Sequence, residues 1–92
     1  MDRKKAYAQM AFYFGSRNQM VVAIEEMSEL QKELAKFLRG KGRYKAVVEE
    51  LADATVMLEQ IKFIFAVSDD ELEKAMNEKV VRTLKRLQKG EQ

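Results

Sequence analysis

The chain has no cysteine, no histidine and no proline, and each absence excludes something. Without cysteine there is no disulfide, thiolate ligand or thiol nucleophile. Without histidine the commonest metal ligand and the commonest general base near neutral pH are both missing. Any metal must then be held by oxygen, which selects Mg²⁺, Mn²⁺ or Ca²⁺ over zinc and copper. Charge of one sign is also scarce: the net charge is +2 with 35% charged residues, so positive and negative groups are mixed. That is no footprint for non-specific nucleic-acid binding. No apolar run approaches the roughly 20 residues that cross a bilayer. The opening Met1-Asp2-Arg3-Lys4-Lys5 lacks the apolar region of a signal peptide. A cytoplasmic protein that engages neither nucleic acid nor membrane is expected.

Glycine is confined to Gly15, Gly40, Gly42 and Gly90, and these positions cut the chain into uninterrupted helical pieces. The first helix is expected over about Arg3 to Phe14, with Ala6, Tyr7, Met10, Ala11 and Phe14 at helical spacing. Ser16-Arg17-Asn18-Gln19 reads as a capping box that opens a second helix running to about Arg39. Met20, Ala23, Ile24, Met27, Leu30, Leu34 and Leu38 form its expected apolar stripe. A third helix is expected over about Tyr44 to Ala66, with Val47, Leu51, Ala54, Leu58, Ile61 and Phe65 inward. Ser68-Asp69-Asp70-Glu71 is a second capping box, and Leu72, Met76, Val80, Leu84 and Leu87 are the expected buried side of a fourth helix. The expectation is an all-α, single-domain chain over residues 1–92, four helices forming a bundle around a central antiparallel helical hairpin. A chain this short buries only about two-thirds of its unfolded surface. A thin core of that kind is expected to be completed by oligomerisation.

Two acidic clusters dominate the chemistry: Glu25-Glu26-Met27-Ser28-Glu29 and Glu49-Glu50-Leu51-Ala52-Asp53. A helical wheel puts Glu50 inside the apolar arc of the third helix, with Asp53 just beyond the arc's edge. Glu26, Glu29 and Glu33 lie along the edge of the second helix's arc, while Glu25 and Glu49 point outward. A break at Gly40–Gly42 makes an antiparallel hairpin. Counting equal steps from its middle puts Glu29 level with Asp53 and Glu33 level with Glu50. At about 5.5 Å and an effective dielectric of about 20, each like-charged pair costs roughly 3 kcal/mol. Divalent cations remove that penalty; protonation could too, but one or two Mg²⁺ explain why so many acids are present.

Blander readings stand beside this one. Glu-x-x-Glu alone usually marks a solvated helix face, since Glu is rarely buried unpaired. Glu29 with Lys32, and Glu59 with Lys62, could be ordinary helical ion pairs. A di-iron bundle would need Glu-x-x-His motifs that a chain without histidine lacks. A non-catalytic helical oligomeric interaction module, its acids binding a structural divalent cation or a basic partner, is the main alternative to an enzyme.

Glu25-Glu26-x-x-Glu29 followed by Glu49-Glu50-x-x-Asp53 resembles the signature of the MazG-like all-α nucleoside triphosphate pyrophosphohydrolases. Gln19 ahead of Ala-Ile-Glu-Glu-Met-Ser-Glu-Leu, then Lys36 and Arg39-Gly40, and the later Lys79-x-x-Arg82 fit the same pattern. The resemblance implies Mg²⁺-dependent (or Mn²⁺-dependent) cleavage between the α- and β-phosphates of a nucleotide, giving a monophosphate and pyrophosphate. It implies Glu26, Glu29, Glu50 and Asp53 as metal ligands and catalytic carboxylates, with Glu25 and Glu49 in support. It further implies Lys36, Arg39, Lys79 and Arg82 as phosphate contacts, Gln19 near base or sugar, and a homodimer or homotetramer with sites between subunits. The related phosphoribosyl-ATP pyrophosphatases share the acidic pattern, but their Gly-Ser-Tyr-Thr type element is not seen here.

Overall fold

The computed structural model describes residues 1–90, and among them the chain is all-α. Its helices are α1 (Arg3–Phe14), α2 (Ser16–Leu38), α3 (Tyr44–Ile64) and α4 (Asp69–Gln88). Asp2 starts α1 by accepting hydrogen bonds from the backbone N–H groups of Lys4 (3.0 Å) and Lys5 (3.3 Å). That satisfies two of the donors a helix start leaves unpaired.

The α1–α2 corner differs from its expected form. Gly15, at φ 89°, serves both helices: it ends α1 with an N–H bond to the Ala11 carbonyl and precedes α2. Ser16 is therefore already helical, and no side chain caps α2. The capping box is not made because Gln19, its other half, is turned into the interior instead. Asn18 Nδ2 donates to the Phe14 carbonyl at 2.8 Å and ties the corner together.

Helix α2 ends in a double bond pattern: Gly40 N–H to Phe37 O (3.0 Å) and Lys41 N–H to Lys36 O (2.9 Å). This closure needs a left-handed residue, and Gly40 supplies it at φ 74°. The chain then folds straight back against the helix it has left. A Cβ on Gly42 would sit 2.8 Å from both Phe37 Cα and N, so only glycine permits the approach. Helix α3 ends the same way, with Ala66 N–H to Phe63 O and Val67 N–H to Lys62 O. Here the left-handed position falls to Ala66, at φ 55°, so α3 stops at Ile64 rather than continuing to Ala66.

Helices α2 and α3 pack as the central hairpin, and α1 lies across both. Tyr7 is buried at that junction and its hydroxyl donates to Glu59, which also meets Arg3 Nε at 3.3 Å. Glu59 thus clamps α1 instead of pairing with Lys62, which bonds Asp69 at the start of α4. The core is small: Tyr7, Ala23, Ala54 and Met57, with Gln19 and Gln60 among them.

Two expectations about burial fail. Ile24, Leu34 and Leu38 on α2, and Leu51, Leu58 and Phe65 on and just after α3, are exposed. The hairpin seam runs instead through Gln19, Ala23, Glu26, Leu30 and Glu33, all buried or half-buried. Helix α4 has the right sequence signals: Ser68 Oγ accepts from Glu71 N–H, acids occupy the first turn, and Lys85 and Arg86 occupy the last. Yet among the described residues it packs against none of the other helices, and Leu72, Met76, Val80, Leu84 and Leu87 are exposed. An amphipathic stripe drives burial only where an apolar surface lies within reach, and the short Phe65–Ser68 connection directs α4 away from the hairpin.

Candidate metal centre

Glu26 on α2 meets Glu50 and Asp53 on α3 at mid-hairpin. One carboxylate oxygen of each lies within 4.8 Å of the others. Glu50 and Asp53 are three residues apart and so share one face of α3. The cluster uses a different level of α2 from the one expected. Equal counting from the turn opposes Asp53 with Glu29, whereas it is Glu26 that meets Asp53. The difference comes from the turn, where Arg39 to Gly42 wrap back along the last turn of α2 and the return begins against Phe37.

The electrostatics are those of uncompensated acids. Glu26 and Glu50 are half-buried, and Asp53 is exposed. Loss of solvation is the main cause that raises the Glu26 carboxyl above the ordinary value, followed by repulsion from Asp53, Glu29 and Glu25. Glu50 is raised in the same way, by lost solvation first and then by Asp53, Glu26, Glu29 and Glu33. Among the described residues no Lys or Arg forms a salt bridge with any of the three. Three oxygens gathered this closely, short of cations and partly withdrawn from water, could supply part of the oxygen shell of a hard divalent ion.

The other expected residues divide. Glu29 is exposed and lies 3.7 Å from Lys32, yet is close enough to repel both Glu26 and Glu50; it stands at the cluster's rim. Glu25 and Glu49 are exposed. Lys36 meets Glu33 at 3.7 Å, and Arg39 is exposed at the hairpin tip. Lys79 and Arg82 ride on α4, away from the hairpin, so one chain does not bring them to the carboxylates. Gln19 is buried, and its amide Nε2 donates to Gln60 Oε1 at 2.5 Å, so it faces the core.

Sequence reasoning does not single out Gln60, and it places Glu33 on an edge without showing that its Oε2 is buried with no hydrogen-bond partner. A signal was present: Gln19, Glu26 and Glu33 recur at seven-residue intervals, as do Asp53 and Gln60. Polar residues at that period lie along one side of a helix.

The fold and the site define a class: an all-α helical-hairpin protein with a carboxylate cluster suited to a divalent cation. In comparison with protein-family models, curated proteins and solved structures, the chain matches none. The family resemblance therefore stands on the motif residues themselves.

Proposed function

We propose that this chain is a Mg²⁺-dependent nucleotide pyrophosphohydrolase of the MazG-like kind, cleaving the α–β phosphoanhydride to give a nucleoside monophosphate and pyrophosphate. The observation that carries the proposal is the meeting of Glu26, Glu50 and Asp53, with oxygens within 4.8 Å and no cation paired to them among the described residues. These three would hold the ion (Mg²⁺, with Mn²⁺ as substitute), with Glu29 at the rim. When bound, the cation supplies positive charge against the polyphosphate and makes water more acidic. Glu29, exposed beside the cluster, orients the attacking water and accepts its proton as oxygen adds to the α-phosphorus. The bond to the bridging oxygen breaks, and that oxygen leaves with pyrophosphate. Glu25 and Glu49 add negative charge from outside. No histidine base is required.

The active form is proposed to be a homodimer or homotetramer working on the cytoplasmic nucleotide pool. Support comes from the uncovered stripe of α4 and from the exposed Ile24, Leu34, Leu51 and Leu58 of the hairpin. A second copy covering these faces can also bring Lys79 and Arg82 to a neighbour's carboxylates, joining Lys36 and Arg39 as phosphate contacts. Among the described residues, no helix is long and apolar enough to cross a membrane.

One observation favours a second reading. A single chain gathers acids without bringing the cations of α4 to them. A non-catalytic interaction module holding a structural divalent cation fits that arrangement. A screen of nucleotides for pyrophosphate release, with and without Mg²⁺, decides between the two. Release that depends on Mg²⁺ supports the enzyme, and no release from any nucleotide supports the module. Release from phosphoribosyl-ATP alone would mark the related pyrophosphatase activity.

A further inference from the structure

Helix α2 presents the less apolar of two available faces to α3. Taking Gln19 as zero on the wheel, Glu26 and Glu33 fall within about 40° of it, whereas Leu34, Leu38 and Ile24 lie about 60–140° away. The polar line is inside and the three aliphatic side chains are exposed. Hydrophobic burial alone would turn α2 the other way, since each large aliphatic side chain buried contributes about 1.5–3 kcal/mol. Within one chain, something other than apolar area against α3 holds the observed facing.

The feature that opposes the turn is the amide pair. Gln19 and Gln60 are 6% and 3% exposed and are the two buried polar side chains among the described residues. Gln19 Nε2 donates to Gln60 Oε1 at 2.5 Å, and Gln60 Nε2 reaches Met57 Sδ at 3.3 Å. A buried amide that loses its partner costs far more than the bond gains in water, so the pair penalises every other facing of the two helices. A single buried polar residue selects register in coiled coils by the same physics. Gln19 is seven residues from Glu26, and Gln60 is seven from Asp53. The amide pair and the carboxylates therefore lie on one seam, two turns apart, at the end of the hairpin away from Gly42.

We propose that the Gln19–Gln60 amide pair sets the facing of α2 on α3, and so holds Glu26 against Glu50 and Asp53. The two glutamines are positioning residues, and Gln19 contacts the opposite helix instead of a nucleotide. The consequence for cation binding rests on the metal-site reading; the facing itself does not.

The absence of cysteine allows a clean measurement. Spin labels on Ser28→Cys and Thr55→Cys, both exposed positions, report the distance from α2 to α3. Dilution with unlabelled chain restricts the reading to one molecule. In the labelled Gln19→Met/Gln60→Met protein, both partners become apolar with little change in size, which is close to neutral for stability. The expected result is retained helix content with a label distance displaced by about 6 Å, as a turn of roughly 80° on a helix about 10 Å across requires. The labelled Gln60→Glu protein, which keeps an oxygen to accept the Gln19 bond, is expected to hold the original distance. Mn²⁺ affinity falls at least tenfold in the Met pair and is retained in Gln60→Glu. An unchanged distance in the Met pair overturns the proposal. Loss of its helix content overturns it equally, since a facing device can be replaced without unfolding. If the original protein binds no Mn²⁺, the metal reading fails while the distance still decides the facing.

Discussion

The α2–α3 hairpin and α4 are built from similar material and end in opposite situations. Both are amphipathic, and both are made helical by local signals: spacing throughout, glycines flanking α2, a basic residue in the last turn of each helix of the hairpin, and in α4 a serine cap with acids in the first turn and bases in the last. The hairpin covers a seam that contains acids and amides, and leaves aliphatic residues outside. Helix α4 leaves its whole apolar stripe outside and covers nothing. The comparison separates forming a helix from choosing its facing. The first is local. The second depends on what else is within reach and on whether a buried polar group will tolerate the alternative.

The strongest way to break the comparison is to remove charge from the seam. Glu50→Gln is expected to lower pyrophosphate release by more than the roughly 10–100-fold typical of residues that only support a ligand. The same change on α4, Glu78→Gln, should leave release unchanged. An active Glu50→Gln protein in a steady-state assay would remove Glu50 from the site.

Mg²⁺ should act on the hairpin in the same way. At about a hundredfold excess over its dissociation constant, an ion bound only to the native state adds about 2.7 kcal/mol, or roughly 10–20 °C in melting temperature for a domain of this size. Glu26→Gln should abolish that rise in a thermal melt. A rise that survives Glu26→Gln places the ion elsewhere.

On the other side of the comparison, Met76→Asp with Leu84→Asp puts two charges into the stripe of α4. If a second copy covers that stripe, sedimentation will show the oligomer dissociating while the hairpin keeps its helix content. An unchanged assembly would assign the stripe to solvent.

A smaller effect follows from pH. The raised carboxyls of Glu26 and Glu50 bind protons more tightly in the folded chain than in the unfolded one. Their contribution to stability is therefore fully present below the ordinary Glu value of 4.5, and is lost as pH rises through their higher folded values. Metal-free protein should melt at lower temperature at neutral pH than near pH 5, relative to a Glu50→Gln protein that lacks one of the two groups. Saturating Mg²⁺ should reverse the trend.

The joint between the two regions offers the smallest change. Ala66 holds a left-handed conformation that glycine adopts without a Cβ penalty. Ala66→Gly is expected to stabilise the chain by about 0.5–1 kcal/mol, read by urea unfolding.

Much of the site was legible residue by residue. Glu50 stood out because an apolar arc is a costly place for a carboxylate, and Asp53 followed from its spacing. On α2, Glu26 is among the expected ligands, but equal counting sets Glu29 and not Glu26 level with Asp53. Equal counting treats a turn as symmetric, and this one folds back along Phe37 before α3 begins. For Gln19 the family resemblance implies a place near base or sugar, whereas its amide in this chain bonds Gln60. Its partner lies 41 residues away in the chain, where no local pattern connects them.

The sequence alone determined the four helices, their approximate ends, the all-α class, and the chemistry open to a chain without cysteine or histidine. These follow from interactions within a few residues. Only the tertiary structure decided that α2 turns its polar line inward, that Glu26 and not Glu29 meets Asp53, and that α4 finds no surface in its own chain. Each of these depends on a distant group: a glycine that admits a close return, an amide awaiting its partner, or a neighbouring face that is absent among the described residues.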